Sequence, residues 1–225
     1  LLLTAGIFIQ IRTVKSNNST VSNNYEENNL RAEVLKYKER YDNKYKELEK
    51  AENELEKERE NSTKNDGDLK QKEEEITNGN KIIGLSEVTG SGVIVTLTDS
   101  KKDISSSLNP SELVVHDLDV LSVINELKNA GAEAISINDQ RIINMSDIVD
   151  INSDYSSFIK INGQRILSPY TIKAIGDPTY MESSLIGNGG VVDTMKKTGQ
   201  DITIDKPNNV KILKYNGEIK TKYIE

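Results

Sequence analysis

The chain contains no cysteine and no tryptophan, a single histidine, and four prolines in 225 residues. Without cysteine there can be no disulfide, no thiol nucleophile and no zinc–thiolate centre. The one histidine, His116, is followed by Asp117. A His-Asp pair is familiar from metal-dependent phosphohydrolases, but those sites need several histidines. A Ser-His-Asp set could be completed by Asp117 or Asp119, yet no Gly-x-Ser-x-Gly elbow is present to expose the serine. Gly90-Ser91-Gly92 lacks the strand–GxGxxG–helix setting of a dinucleotide site, and no GxxxxGK[ST] loop occurs. These absences predict a protein with no enzymatic activity, no cofactor and no resident metal.

Positive charge is also scarce. The net charge is −7. Residues 26–77 hold 17 acidic against 12 basic side chains, and residues 82–225 hold 19 against 14. Neither region offers the basic face that phosphate backbones require, which argues against a nucleic-acid partner. Apolar residues make up 35% of the chain, below the roughly 45–50% usual in globular domains. The deficit lies in 12–81, whereas 82–225 carries ordinary core-forming runs. That stretch is long enough to bury one core without cross-links.

What is present divides into four parts. Residues 1–11, from Leu1 to Ile11, carry no charge and have no initiator Met. They are expected to be the truncated end of a single-pass membrane anchor, which needs about 20 apolar residues. No small-x-small cleavage site follows. Arg12 and Lys15 favour a cytoplasmic position for the flanking chain. Residues 12–29, rich in Ser and Asn, read as a flexible spacer.

From 30 to 77 the chain turns to Glu, Lys, Leu and Tyr without proline. Val34, Tyr41, Leu48, Leu55, Leu69 and Ile76 recur on a seven-residue period, with Ser62 filling the gap. The companion seam (Leu30, Tyr37, Lys44, Ala51, Glu58) turns polar. This pattern predicts a long charged helix of marginal coiled-coil character, able to pair as a homodimer. Asn65-Asp66-Gly67-Asp68 is its expected weak point.

Residues 82–225 read as a small α+β domain. Lys81–Val88 and Val93–Thr98 are expected strands around a tight turn at Thr89–Gly92, followed by a polar loop at 99–113. A helix begins at Asp117 or Asp119, with Leu118, Leu121, Ile124 and Leu127 as its apolar positions, and Gly131 ends it. Ala132–Ile137 reads as a central strand, with Arg141–Ile143 continuing or pairing with it. Further strands fall at 147–151, 158–161 and 164–167, the last two joined by Asn162-Gly163, a strong hairpin signal. Tyr170–Ile175 is another strand. Asp177 and Pro178 open a helix, and 190–198, 201–205 and 210–213 close the domain. The order predicts a ferredoxin-like sandwich with two main helices on a mostly antiparallel sheet.

Several strings carry a resemblance: Val88-Thr89-Gly90-Ser91-Gly92-Val93, Val115-His116-Asp117, Val123-Ile124-Asn125-Glu126-Leu127, Gly131 to Asn138, Gln140-Arg141-Ile142, and Ala174-Ile175-Gly176-Asp177-Pro178. In this order they are similar to the YlxW/YlxX-like family of Gram-positive bacteria, domain of unknown function 881. The likeness covers about 82–215, with Ser91 standing where the family often has Pro. It implies a cell-membrane protein whose domain is extracytoplasmic, against the vote of Arg12 and Lys15. It also implies envelope or division proteins as partners, and no established enzymatic activity.

Six residues are candidates for binding a partner or small ligand. Glu133, Asn138 and Arg141 surround one strand end, Asn125 and Glu126 sit on the preceding helix, and His116 stands at that helix's start. The competing reading is an Arg–Glu pair with Asn holding a turn, and His116 with Asp117 capping a helix. Asp117-x-Asp119 could hold a cation or simply complement the helix dipole. Gly187-Asn188-Gly189-Gly190 could cradle an anion or be a mobile loop.

Overall fold

Helix propensity differs by only a few tenths of a kcal/mol between most residue types, and only Gly and Pro break helices on their own account. From Arg12 to Asn29 there is neither. The structure, a computed structural model that describes all residues except 1, 64–66, 102–112, 154–155 and 224–225, accordingly shows one helix, α1, over Leu2–Thr63. The stretch expected as a flexible spacer, 12–29, is therefore helical. Among the described residues no helix is long and apolar enough to cross a membrane. The expected anchor remnant forms the first turns of α1.

Helix α2 spans Gly67–Ile83. Of the weak point expected at 65–68, residues 65 and 66 lie outside the described residues, while Gly67 and Asp68 open α2. Arg59 and Glu73 are 3.8 Å apart; fourteen residues of straight helix would separate them by about 21 Å. On α1 and α2 the seven-residue stripe stays open to solvent: Val34, Tyr41, Leu48, Leu55, Leu69 and Ile76 are 45–60% exposed.

The chain divides into units 1–73 and 74–225. In the second, α2 ends in a Schellman motif. Gly84, at φ +86°, donates from its N–H to the Lys81 carbonyl, and Leu85 to that of Asn80. The strand expected over Lys81–Val88 is thus wrong. Ile82 and Ile83 are β-branched but belong to the last helical turn, and only Val88–Gly90 is strand (β1).

The main sheet uses β2 (Gly92–Thr98), β3 (Ala134–Ile137), β4 (Gln140–Ile142), β8 (Tyr170–Ile175) and β9 (Asp201–Asp205), in the order β4-β3-β8-β2-β9, all antiparallel. Helix α3 (Asp117–Asn129) connects β2 to β3, and α4 (Pro178–Ile186) with α5 (Val191–Thr198) connect β8 to β9. Leaving out β4, this is the split βαβ pair of a ferredoxin-like α+β domain, as expected. Between β4 and β8 a second sheet is inserted: β5 (Ile148–Ser153), β6 (Ser156–Ile161) and β7 (Gln164–Ile166). Asn162 (φ 50°) and Gly163 (φ 80°) make its tight turn.

The turn expected at Thr89–Gly92 does not form a hairpin. β1 pairs instead with β10 (Val210–Ile212), and β2 with β8 and β9. Gly92 allows the change of sheet, because a Cβ there would lie 1.9 Å from the Ala174 carbonyl oxygen.

The core sits between sheet and helices. Val93, Val95 and Leu97 of β2 and Tyr170, Ile172 and Ala174 of β8 alternate inward, and Ile159, Ile161 and Ile166 of the inserted sheet join them. The buried stripe of α3 is Val120, Val123, Ile124 and Leu127. Of the expected stripe, Ile124 and Leu127 are buried, Leu121 is half-buried and Leu118 is 71% exposed. A second small core of Ala134, Ile175, Val210 and Ile212 seals the opposite face of the sheet under the β1–β10 ribbon.

Candidate functional site

The six candidate residues do not gather at one place. His116 is the N-cap of α3. Its Nδ1 lies 2.7 Å from an Asp150 carboxylate oxygen, and its backbone N–H donates to Asp119 at 2.9 Å. Asp117 and Asp150 exchange backbone-to-carboxylate bonds of 3.1 and 3.2 Å. Gln200 donates to Asp119 at 3.1 Å. These bonds fasten the inserted sheet and β9 to the start of α3, so the acids around His116 are occupied in bracing. No group of three or more potential metal-ligating side chains forms among the described residues. The Tyr170 hydroxyl is fully buried and has no hydrogen-bond partner among the described residues. Burial raises its pKa well above the ordinary tyrosine value, and the nearby Asp99 and Asp150 add to the rise.

Asn138 holds a turn. At φ 43° it accepts from the Thr171 N–H at 2.8 Å and donates to the Pro169 carbonyl at 3.2 Å. Glu126 accepts a 2.7 Å bond from Ser184, joining α3 to α4. Asn125 is exposed on α3. Asp177 caps α4 by accepting from the Thr179 and Tyr180 N–H groups.

Arg141 and Glu133 both line an open cavity of about 430 Å³ beside the edge strand β4. Four pieces of chain build it: the last turn of α2, the end of α3 with residues 132–135, β4 with the following 143–145 segment, and Ile219. Its walls include Ile82, Ile83, Ile135, Ile142, Ile143 and Met145, and its charged residues are Lys128, Glu133 and Arg141. Ile82, Ile83 and Met145 are each at least half exposed.

Arg141 is 2% exposed. Its guanidinium donates to the Lys81 carbonyl at 3.3 Å and the Ser86 carbonyl at 3.4 Å, both beside the Schellman turn. Burial lowers its pKa from the ordinary arginine value. The Arg–Glu ion pair held open by the sequence does not form between these two residues, although both line the cavity. Sequence reasoning reached Arg141 and Glu133 but missed Lys128, the α2 isoleucines and Ile219, which only the tertiary fold brings alongside.

An α+β domain of split βαβ type, with an inserted three-stranded sheet and a long preceding helix, defines the class of protein. Within that class, residues 75–225 match the sequence profile of the family described as bacterial protein of unknown function (DUF881). The chain belongs to that family. It is 32% identical over 137 residues to the UPF0749 protein YlxW of Bacillus subtilis, covering 58% of this chain and 54% of that one. It is 36% identical over 112 residues to the UPF0749 protein YlxX of the same organism, covering 48% and 45%. The chain thus spans about half the length of these relatives. A crystal structure of an uncharacterized conserved protein from Mycobacterium tuberculosis superposes with a TM-score of 0.54 at 25% identity, covering 67% of this chain and 98% of that one.

Proposed function

We propose that this chain is a non-enzymatic interaction protein of the bacterial envelope, held at the membrane through its N-terminal end and paired through its long helix. The open seven-residue stripe on α1 carries this reading. A stripe of that period is buried by a second helix of the same period, and a second copy supplies one. With Val34, Tyr41, Leu48 and Leu55 on the seam, a parallel in-register pair sets Glu33 beside Lys38 and Glu54 beside Arg59 of the other copy. Glu47 meets Glu52, and Lys44 and Glu58 face their own copies, so the pair is weak and suits reinforcement by tethering. The domain would then present its β4 edge to envelope or division partners on the outer side of the membrane. The bracing role of His116 and its acids supports a non-catalytic reading. Sedimentation of the full chain tests the pairing. A concentration-dependent dimer that Leu48→Lys with Leu55→Lys converts to monomer is expected; a monomer at all concentrations would sink it.

A second reading is favoured by the cavity at β4. Its volume falls within the roughly 300–1,000 Å³ of small-ligand sites, which supports a domain that senses a small molecule or wall fragment.

A further inference from the structure

The cavity beside β4 combines an apolar wall with a buried charge. Six of its fourteen lining residues are isoleucine, and it contains Arg141, a residue only 2% exposed. An arginine has five N–H donors, and here two reach carbonyl oxygens at distances near the long limit of a hydrogen bond. Both partners are neutral. Among the described residues no carboxylate forms an ion pair with Arg141, and Glu133 approaches the same cavity from an exposed position. Buried charges are nearly always paired, because an uncompensated one is costly.

The charge lining the cavity selects the partner. Lys128 and Arg141 contribute two positive charges and Glu133 one negative, a net of +1. A monoanion neutralises that net charge, a dianion would leave the cavity with an excess negative charge, and a neutral apolar molecule would leave the guanidinium uncompensated. A carboxylate carries one charge, and its two oxygens match the planar fork of arginine. The surrounding isoleucines and Met145 require an apolar body behind that head.

We propose that this cavity binds an alkyl carboxylate, with the head on Arg141, Lys128 at the same anionic end, and the chain along Ile82, Ile83, Ile142 and Ile143. The proposal rests on the reading of the cavity as a ligand site and names the ligand's class.

The test uses the full chain with 13C-labelled methionine methyl groups. There are three methionines; Met181 and Met195 are buried in the core, while Met145 lines the cavity at 52% exposure. Decanoate, below its micelle concentration, should shift the Met145 signal saturably, and about ten-fold more tightly than decan-1-ol. Lys128→Gln, a change at an exposed site, should weaken decanoate severalfold and leave decan-1-ol unchanged. Arg141→Gln should abolish the preference. Equal affinity for decanoate and decan-1-ol would overturn the carboxylate assignment while leaving the cavity as an apolar site. No shift of Met145 with either probe would overturn both. Should Arg141→Gln fail to fold, the two probes and the Lys128 variant still decide the matter.

Discussion

Tyr170 and Ser136 are buried side chains whose hydroxyls have no partner among the described residues. Each costs roughly 1–3 kcal/mol of desolvation with nothing in return. Tyr170→Phe and Ser136→Ala are therefore expected to raise stability, by about 1 kcal/mol each after some loss of packing at serine, measured by chemical denaturation. Tyr170 also leaves a mark in alkali. Its pKa is raised in the folded state by burial and by Asp99 and Asp150, so its neutral form is the one that folding favours. That contribution is fully present below the unfolded value near 10 and is lost as pH climbs toward the folded one. Stability should fall above about pH 10, and Tyr170→Phe should flatten that fall; an unchanged pH profile would contradict the assignment. Nothing in the sequence marks this residue. Tyr170 reads as an ordinary strand position, and Asp150 lies 34 residues from the His116 it braces.

The elements that could be read from the sequence are those whose determinants are local. Asn162-Gly163 turns as its dipeptide demands, and Asp177-Pro178 opens α4 with the cap and first-turn proline expected. Elements settled by distant partners were not legible. β1 finds β10 more than a hundred residues away, so Thr89–Gly92 looks like a hairpin turn until that partner is known. The α2 terminus is intermediate. Ile82-Ile83 suggests strand by propensity, whereas Gly84 signals a helix end, and the Schellman bonds decide for the latter. At Gly84 a Cβ would suffer both φ +86° and a 2.7 Å approach to Ile143 Cγ2. Gly84→Ala should cost about 2 kcal/mol, read by thermal or denaturant unfolding of the domain. A loss below a few tenths would show the turn to be adaptable. The candidate site follows the same rule: Arg141 and Glu133 announce themselves as charged residues around a strand, while the cavity they share exists only because four segments converge.

For the whole molecule the controlling feature is reach. α1 alone, at 62 residues, extends about 93 Å. In the proposed pair, the polarity of the two helices decides whether the two domains emerge at the same end or at opposite ends. The absence of native cysteine makes that polarity measurable. A lone cysteine at Leu48 should oxidise to a covalent dimer if the helices run parallel and in register, because that position then faces its own copy. A cysteine at Asn53, on the outer face of the same heptad, should not. Cross-linking at Asn53 in preference to Leu48 would require a different seam.

Arg141 has two neighbours to serve: the carbonyls that close α2 and the cavity on its other side. A guanidinium drawn toward a carboxylate relinquishes part of its hold on the Lys81 and Ser86 carbonyls, and one locked onto those carbonyls is less available to a ligand. By linkage, whatever free energy a bound anion takes from the helix end, a firmer helix end must take back from the anion. For the carboxylate proposed above, occupancy of the cavity and fraying of the last turn of α2 would then be two sides of one equilibrium, with a single arginine as its pivot.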